Sequence, residues 1–211
     1  MRPLALALHV SVASLLVAGS ASAQTILSAR VGPTIATLDG DGIVDPEWHT
    51  GFSFGAALTF PLSSAVGLQV GASYVRKGAS FTTEDMEGAI ALDYLEIPLL
   101  LIVGLPTDGS VSPHVSVGPA VAFETGCSIE ASSMGVTASV DCGAGEIATK
   151  STDFGLMGGV GVDIAASRSM AVTFDVAYTL GLTGLDDSAE PSDLKNRAWS
   201  IMAGVAFPLG G

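Results

Sequence analysis

After residue 23 the chain has no apolar run reaching the roughly 18 to 20 residues that a membrane-crossing helix needs. It is also poor in charge, with only 14% of its 211 residues Asp, Glu, Lys or Arg. Of these only eight are basic against 21 acidic, a formal charge of −13. Nucleic-acid binding rests on neutralising phosphates with basic side chains, so that class is excluded. Cys127 and Cys142 are the only cysteines, and the histidines number three. A metal site built on the two thiols would need further ligands nearby, but His49 and His114 lie far off in sequence. In an exported chain an even cysteine pair across a glycine-containing stretch reads instead as a disulfide.

What the chain does have is glycine, 26 residues of it, and 48% hydrophobic residues spread in short pieces. The first 23 residues stand apart. Arg2 opens an apolar stretch from Leu4 to Val17, and Ala21-Ser22-Ala23 closes it as a small-residue cleavage site, the three parts of a signal peptide. His9 therefore falls in a discarded leader. Removal of residues 1–23 leaves a mature domain, 24–211, with seven basic residues against 21 acidic ones.

The mature chain reads as eight strands: Ile26–Ala36, Gly51–Phe60, Val66–Lys77, Leu92–Leu105, His114–Glu124, Asp153–Ile164, Met170–Leu180 and Arg197–Phe207. Most match the length a tilted strand needs to cross a bilayer, about 9 to 11 residues. The connections alternate. Pro61–Ala65, Pro106–Pro113 and Ala165–Ser169 are short; Thr37–Thr50, Gly78–Ala91, Thr125–Thr152 and Gly181–Asn196 are long and hold most of the acidic residues. Short periplasmic turns and longer outer loops are the habit of outer-membrane barrels.

Parity separates two faces. Phe52, Phe54, Leu58 and Phe60 share one side of the second strand, with Ser53, Gly55, Ala57 and Thr59 on the other. The sixth, seventh and eighth strands divide likewise, Leu156, Val176 and Ile201 falling on the bulky side. A soluble ligand-binding barrel would put bulk inside and charge outside. Here the second face is Gly, Ala, Ser and Thr, which suits a narrow eight-stranded lumen and places the apolar face in lipid. Phe52, Tyr74, Phe123, Phe154, Tyr178 and Trp199 gather near the long-loop ends, and Phe60 and Phe207 near the short-turn ends, as two aromatic girdles. The expected fold is all-β: an eight-stranded antiparallel up-and-down transmembrane barrel. Pro33, Pro98 and Pro119 lie inside strands and should mark bulges or irregular pairing. From Leu99 to Val103 both faces are apolar, so parity says least there.

The segments Asp93–Gly104 (DYLEIPLLLIVG) and Ser112–Thr125 (SPHVSVGPAVAFET) resemble the PorT-like family of small outer-membrane barrels. That family pairs a Tyr-x-Glu-Ile-Pro-Leu strand, here Tyr94, Glu96, Ile97, Pro98 and Leu99, with a Pro-x-x-x-x-Gly-Pro strand, here Pro113, Gly118 and Pro119. The likeness extends over residues 24–207 and implies an outer-membrane location. The chain departs from the family at Ile102, where relatives often carry a basic residue, and in its tail Pro208–Gly211.

Three constellations remain. Asp39, Asp41 and Asp45 resemble part of a calcium loop, but Ile43 and Thr50 occupy the positions that need oxygen ligands, so an acidic turn is expected. Arg30, Glu96 and Asp175 fall on the inner face and are expected to form a charge-paired lumen plug rather than an ion path. No Ser, His and acid set and no nucleophile elbow is recognisable, so no catalytic residue, cofactor or metal is expected. The functional expectation is a non-enzymatic barrel whose acidic outer loops serve envelope integrity or surface interaction. Its partners would be outer-membrane lipids and an envelope or extracellular molecule. The alternatives are a narrow transport or lipid-handling barrel and a soluble secreted ligand-binding barrel.

Overall fold

The computed structural model describes residues 24–40, 47–82, 87–133, 136–142, 150–185 and 194–210. The expected leader, residues 1–23, lies outside them. Nine strands follow in chain order: β1 (Thr25–Asp39), β2 (Glu47–Pro61), β3 (Val66–Thr82), β4 (Glu87–Gly104), β5 (Val111–Ser133), β6 (Val136–Asp141), β7 (Thr152–Ser167), β8 (Met170–Gly181) and β9 (Lys195–Leu209). Each pairs antiparallel with its neighbours, and β9 returns to β1, so eight of them close into an up-and-down barrel. The ninth, β6, stands apart, paired only with the upper part of β5.

Every strand read from the sequence is present, and the faces fall as parity assigns them. Val31, Phe154 and Val160 are 55–60% exposed on the outside, while Thr34, Ser53 and Thr173 inside are at most 1% exposed. A soluble protein does not leave a continuous belt of Val, Leu and Phe in water; a lipid-facing wall does. In β4, Leu99 and Leu101 face outward and Leu100, 5% exposed, faces the lumen. The outer girdle is built from ring contacts: Tyr74 packs on Phe52 and Phe54 at 5.4 and 5.3 Å, and Tyr178 on Trp199 at 4.8 Å.

The prolines interrupt hydrogen bonding without shifting register. Pairing lapses between Val31 and Thr34 on the β9 side of Pro33. It lapses between β3 and β4 at Pro98, and between β4 and β5 at Pro119. A ring that lacks an N–H cannot complete the ladder. Gly32 and Gly118, each preceding a proline, lie where the neighbouring backbone approaches closely. A Cβ on either would lie about 2 Å from the carbonyl oxygen of Ile201 or Leu99.

The strands overrun the expected boundaries at the outer end. The segment read as a long loop, Thr125–Thr152, contains instead the upper part of β5, a return through β6, and the bridge Cys127–Cys142, with Cα atoms 5.4 Å apart. β3, β4 and β5 thus rise as a one-sided palisade well beyond Tyr74, Leu95 and Phe123, whereas β7 begins only two residues before Phe154. A bulge adjusts the base of this palisade. Tyr94 pairs with Glu124 and Asp93 with Gly126, leaving Thr125 as an extra residue whose hydroxyl donates to the Asp93 carbonyl at 3.1 Å.

Candidate functional site

The barrel offers two places for chemistry, the lumen and the outer rim. Side chains carried inward by the small-residue face fill the lumen in layers. Toward the short-turn end, Arg30 on β1 places Nε 2.9 Å from Asp175 Oδ2 on β8. Its Nη1 donates to Gln69 Oε1 at 3.4 Å, and Gln69 donates in turn to Thr59 Oγ1 at 2.9 Å. The second Asp175 oxygen meets His114 Nε2 at 3.0 Å, and Thr173 donates to the carboxylate at 2.8 Å. His114 Nδ1 lies 3.6 Å from Asp163, so the imidazole stands between two carboxylates.

Nearer the outer end, Lys77 Nζ lies 2.5 Å from Glu96 Oε2, both side chains almost wholly buried. The same ammonium sits 5.4 Å from the Tyr94 ring centroid. Asn196 donates to Tyr94 Oη at 3.4 Å and to Asp153 Oδ2 at 2.9 Å, and Thr183 donates to Asp153 Oδ1 at 2.8 Å. Leu38, Ala79, Leu92, Ala122 and Leu185 pack around Tyr94 and cap this layer. Between the two ionic groups is a cavity of about 60 Å³, walled in part by Leu100, Met157 and Ala177. That space holds a handful of waters. A wider vestibule of about 260 Å³ opens at the short-turn end.

Arg30 and Asp175 are therefore brought together, but Glu96 is not with them; it belongs to Lys77 in a separate layer. Sequence reasoning missed Lys77, His114, Asp163 and Asp153. The signal was available for the lysine, which shares parity with inward-facing Ser73 and Val75 on the strand beside Glu96. Buried charges require partners, and each layer here supplies them.

At the rim, alternation continues but its polarity inverts. On β4 the outward positions change from Leu95, Ile97, Leu99 and Leu101 to Asp93 and Ala89, with Ala91 between them buried, while the inward ones become Leu92 and Ile90. Directly paired residues share a face. Ser80 and Glu130 accordingly join Ala89 on the outside, and Ala79 and Ile129 join Ile90 on the inside. Arg76 binds Asp93 through two contacts of 2.7 and 3.0 Å and stacks 5.8 Å from the Phe52 ring, marking where the girdle ends and water begins.

His49, expected in a loop, is in β2 and meets Ser80 Oγ through Nδ1 at 3.2 Å. Among the described residues no carboxylate hydrogen-bonds this imidazole. Asp39 pairs with Arg197 at 2.7 Å, while Asp41 and Asp45 lie outside the described residues. No cluster able to hold a metal ion occurs among the described residues.

Solved structures share this architecture. Neisserial surface protein A is 14% identical with a TM-score of 0.50, over 88% of this chain and 97% of its own. Outer membrane protein W of E. coli is 15% identical with a TM-score of 0.49, over 89% and 98%. Ail, the attachment invasion locus protein of Yersinia pestis, is 15% identical with a TM-score of 0.42, over 87% and 99%. The likeness to Neisserial surface protein A concerns the fold alone. No curated protein sequence matches the chain. A family model does, over residues 22–187, and it agrees with the closed barrel, its lipid-facing belt and its girdles: the chain belongs to the outer membrane protein beta-barrel domain family and resides in the bacterial outer membrane.

Proposed function

We propose that the protein is a non-enzymatic barrel with a plugged lumen, acting in envelope integrity or surface interaction through its acidic outer rim. The observation that carries this reading is the filling of the lumen. Among the described residues, two ion-paired layers and an apolar cap fill much of the bore, as an eight-stranded barrel leads one to expect. What remains for a partner is the outside. The residues resembling PorT-like barrels support kinship with that group within the class, although they serve the wall and plug: Tyr94 and Glu96 point into the lumen, and Pro98 sits at a lapse in the ladder. Residues 1–23 are inferred to be removed on export, so an intact mass starting at Gln24 is expected.

Planar-bilayer recording on the purified protein tests the central claim. The expected result is no steady conductance in wild type. Stepwise conductance with the native charge pairs intact would establish the alternative, a narrow transport barrel with the vestibule as its inner mouth.

A further inference from the structure

Among the described residues the sheet ends at β6. Half of its backbone N–H and C=O groups face β5, and among the described residues no strand takes the other half. Such an edge is a template for another strand, and proteins usually blunt it with lysine, proline or a bulge. β6 reads VTASVD, six residues with no lysine or proline and a single charge, Asp141, at its end. The edge is held in place where the Cys127–Cys142 bridge ties β5 to the residue after β6.

The two faces of this hairpin differ sharply. Asp141 pairs with Ser128, and Ser139 with Glu130, on the outward, water-facing side. Val140, 50% exposed, pairs with Ile129, and Ala138 with Ala131, on the opposite side. From Gly126 to Thr149 the sequence contains Glu130, Asp141 and Glu146 and no basic residue.

We propose that the free edge of β6 captures an extended peptide by strand addition, with basic residues at alternate positions and apolar residues between them. Backbone pairing with β6 would supply the affinity; alternation would supply the selectivity. Basic side chains would fall beside Asp141 and near Glu130, and apolar ones beside Val140 and Ala138. Six residues of edge accommodate a segment of roughly 20 Å, at about 3.3 Å per residue. The inference rests on the reading of the rim as an interaction surface and names the class of partner it takes.

The test uses the mature, full-length protein in lipid nanodiscs and three synthetic octapeptides. One alternates Lys and Val, one has the same composition in blocks, and one alternates Glu and Val. The alternating Lys-Val peptide is expected to bind and to slow amide exchange across residues 136–141; the other two should bind at least about tenfold more weakly. Glu130→Lys with Asp141→Lys should weaken the Lys-Val peptide by a similar factor, with the barrel still folded by heat-modifiable migration. Binding that leaves β6 exchange unchanged, or that survives the double charge reversal, overturns the proposal. So does self-association through β6 without peptide, seen as dimers crosslinked through Ser139→Cys. Conductance measured on the same preparation separates failure of the peptide site from failure of the plugged-barrel reading.

Discussion

The belt below the outer girdle and the palisade above it are made from the same strands by opposite rules. In the belt, outward positions are Val, Leu and Phe and inward ones are Gly, Ser, Thr and paired charges. In the palisade, Asp93, Glu130 and Asp141 face outward while Leu92, Ile90 and Ile129 face inward. The difference shows that a strand has no fixed inside chemistry. Its solvent decides, and the level at which the pattern inverts, between Leu95 and Asp93 on β4, measures where hydrocarbon ends. A wall that stands in water on its outer side packs like any soluble sheet, apolar face inward.

The comparison can be broken at several points. The largest effect is expected in the lumen. Lys77→Met leaves Glu96 buried without its cation and should destabilise the barrel by about 3 to 5 kcal/mol. Adding Glu96→Leu should return most of that loss, measured by urea unfolding in lipid vesicles. If the single variant were as stable as wild type, the buried pair would not be part of the plug.

On the belt, Val160→Arg sets a charge against hydrocarbon and should cost about 2 to 4 kcal/mol in the same assay. A spin label at Val160 should be relaxed by oxygen dissolved in lipid and shielded from aqueous nickel chelates. Protection from both reagents would make this face a packed interior and remove the belt from the membrane.

On the palisade the same chemistry should be cheap. Arginine at outward-facing Ala89 or Ser128 should change stability by no more than about 0.5 kcal/mol. A penalty as large as that at Val160 would push the lipid boundary upward past Asp93. The contrast between Val160→Arg and Ala89→Arg is the sharpest test of where the inversion lies.

The smallest global effect is expected from the bridge. Cys127→Ser with Cys142→Ser should leave barrel unfolding almost unchanged, because the eight closed strands do not depend on it. Amide exchange across β6 should nevertheless quicken, since the tie holding that edge is gone. Loss of barrel stability comparable to Val160→Arg would show that palisade and belt fold as a single unit.

This inversion also explains what could be read from the sequence. Within the belt, parity located all eight strands and both faces, because lipid imposes one rule on every outward position. Above the girdle the rule reverses, so Ser128-Ile129-Glu130-Ala131 and the run from Val136 to Asp141 look like loop. Yet their period of two, flanking Met134-Gly135, was the available sign of a hairpin. The lumen was legible in kind but not in pairing. Arg30 and Asp175 share the inner face and meet, whereas Glu96 turns to Lys77. Parity ranks residues by face and says nothing of height along a tilted strand. Two inward charges from distant strands can therefore miss each other by a layer.

Thr125 gives the palisade a tolerance that its neighbours lack. A strand crossing from lipid to water carries a reading frame of two, and an insertion or deletion of one residue throws every later side chain onto the wrong face. Thr125 is already such an insertion, absorbed by the bulge: Phe123 outside and Glu124 inside are followed, past it, by Gly126 outside and Cys127 inside. Deleting Thr125 would therefore leave the frame intact and merely straighten the ladder, whereas deleting Gly126 would hand the outward place to Cys127 unless Thr125 were drawn back into the alternation to fill the gap. At the base of the palisade the bulge thus acts as a spare beat, letting the chain gain or lose a residue while the wall above keeps its two faces.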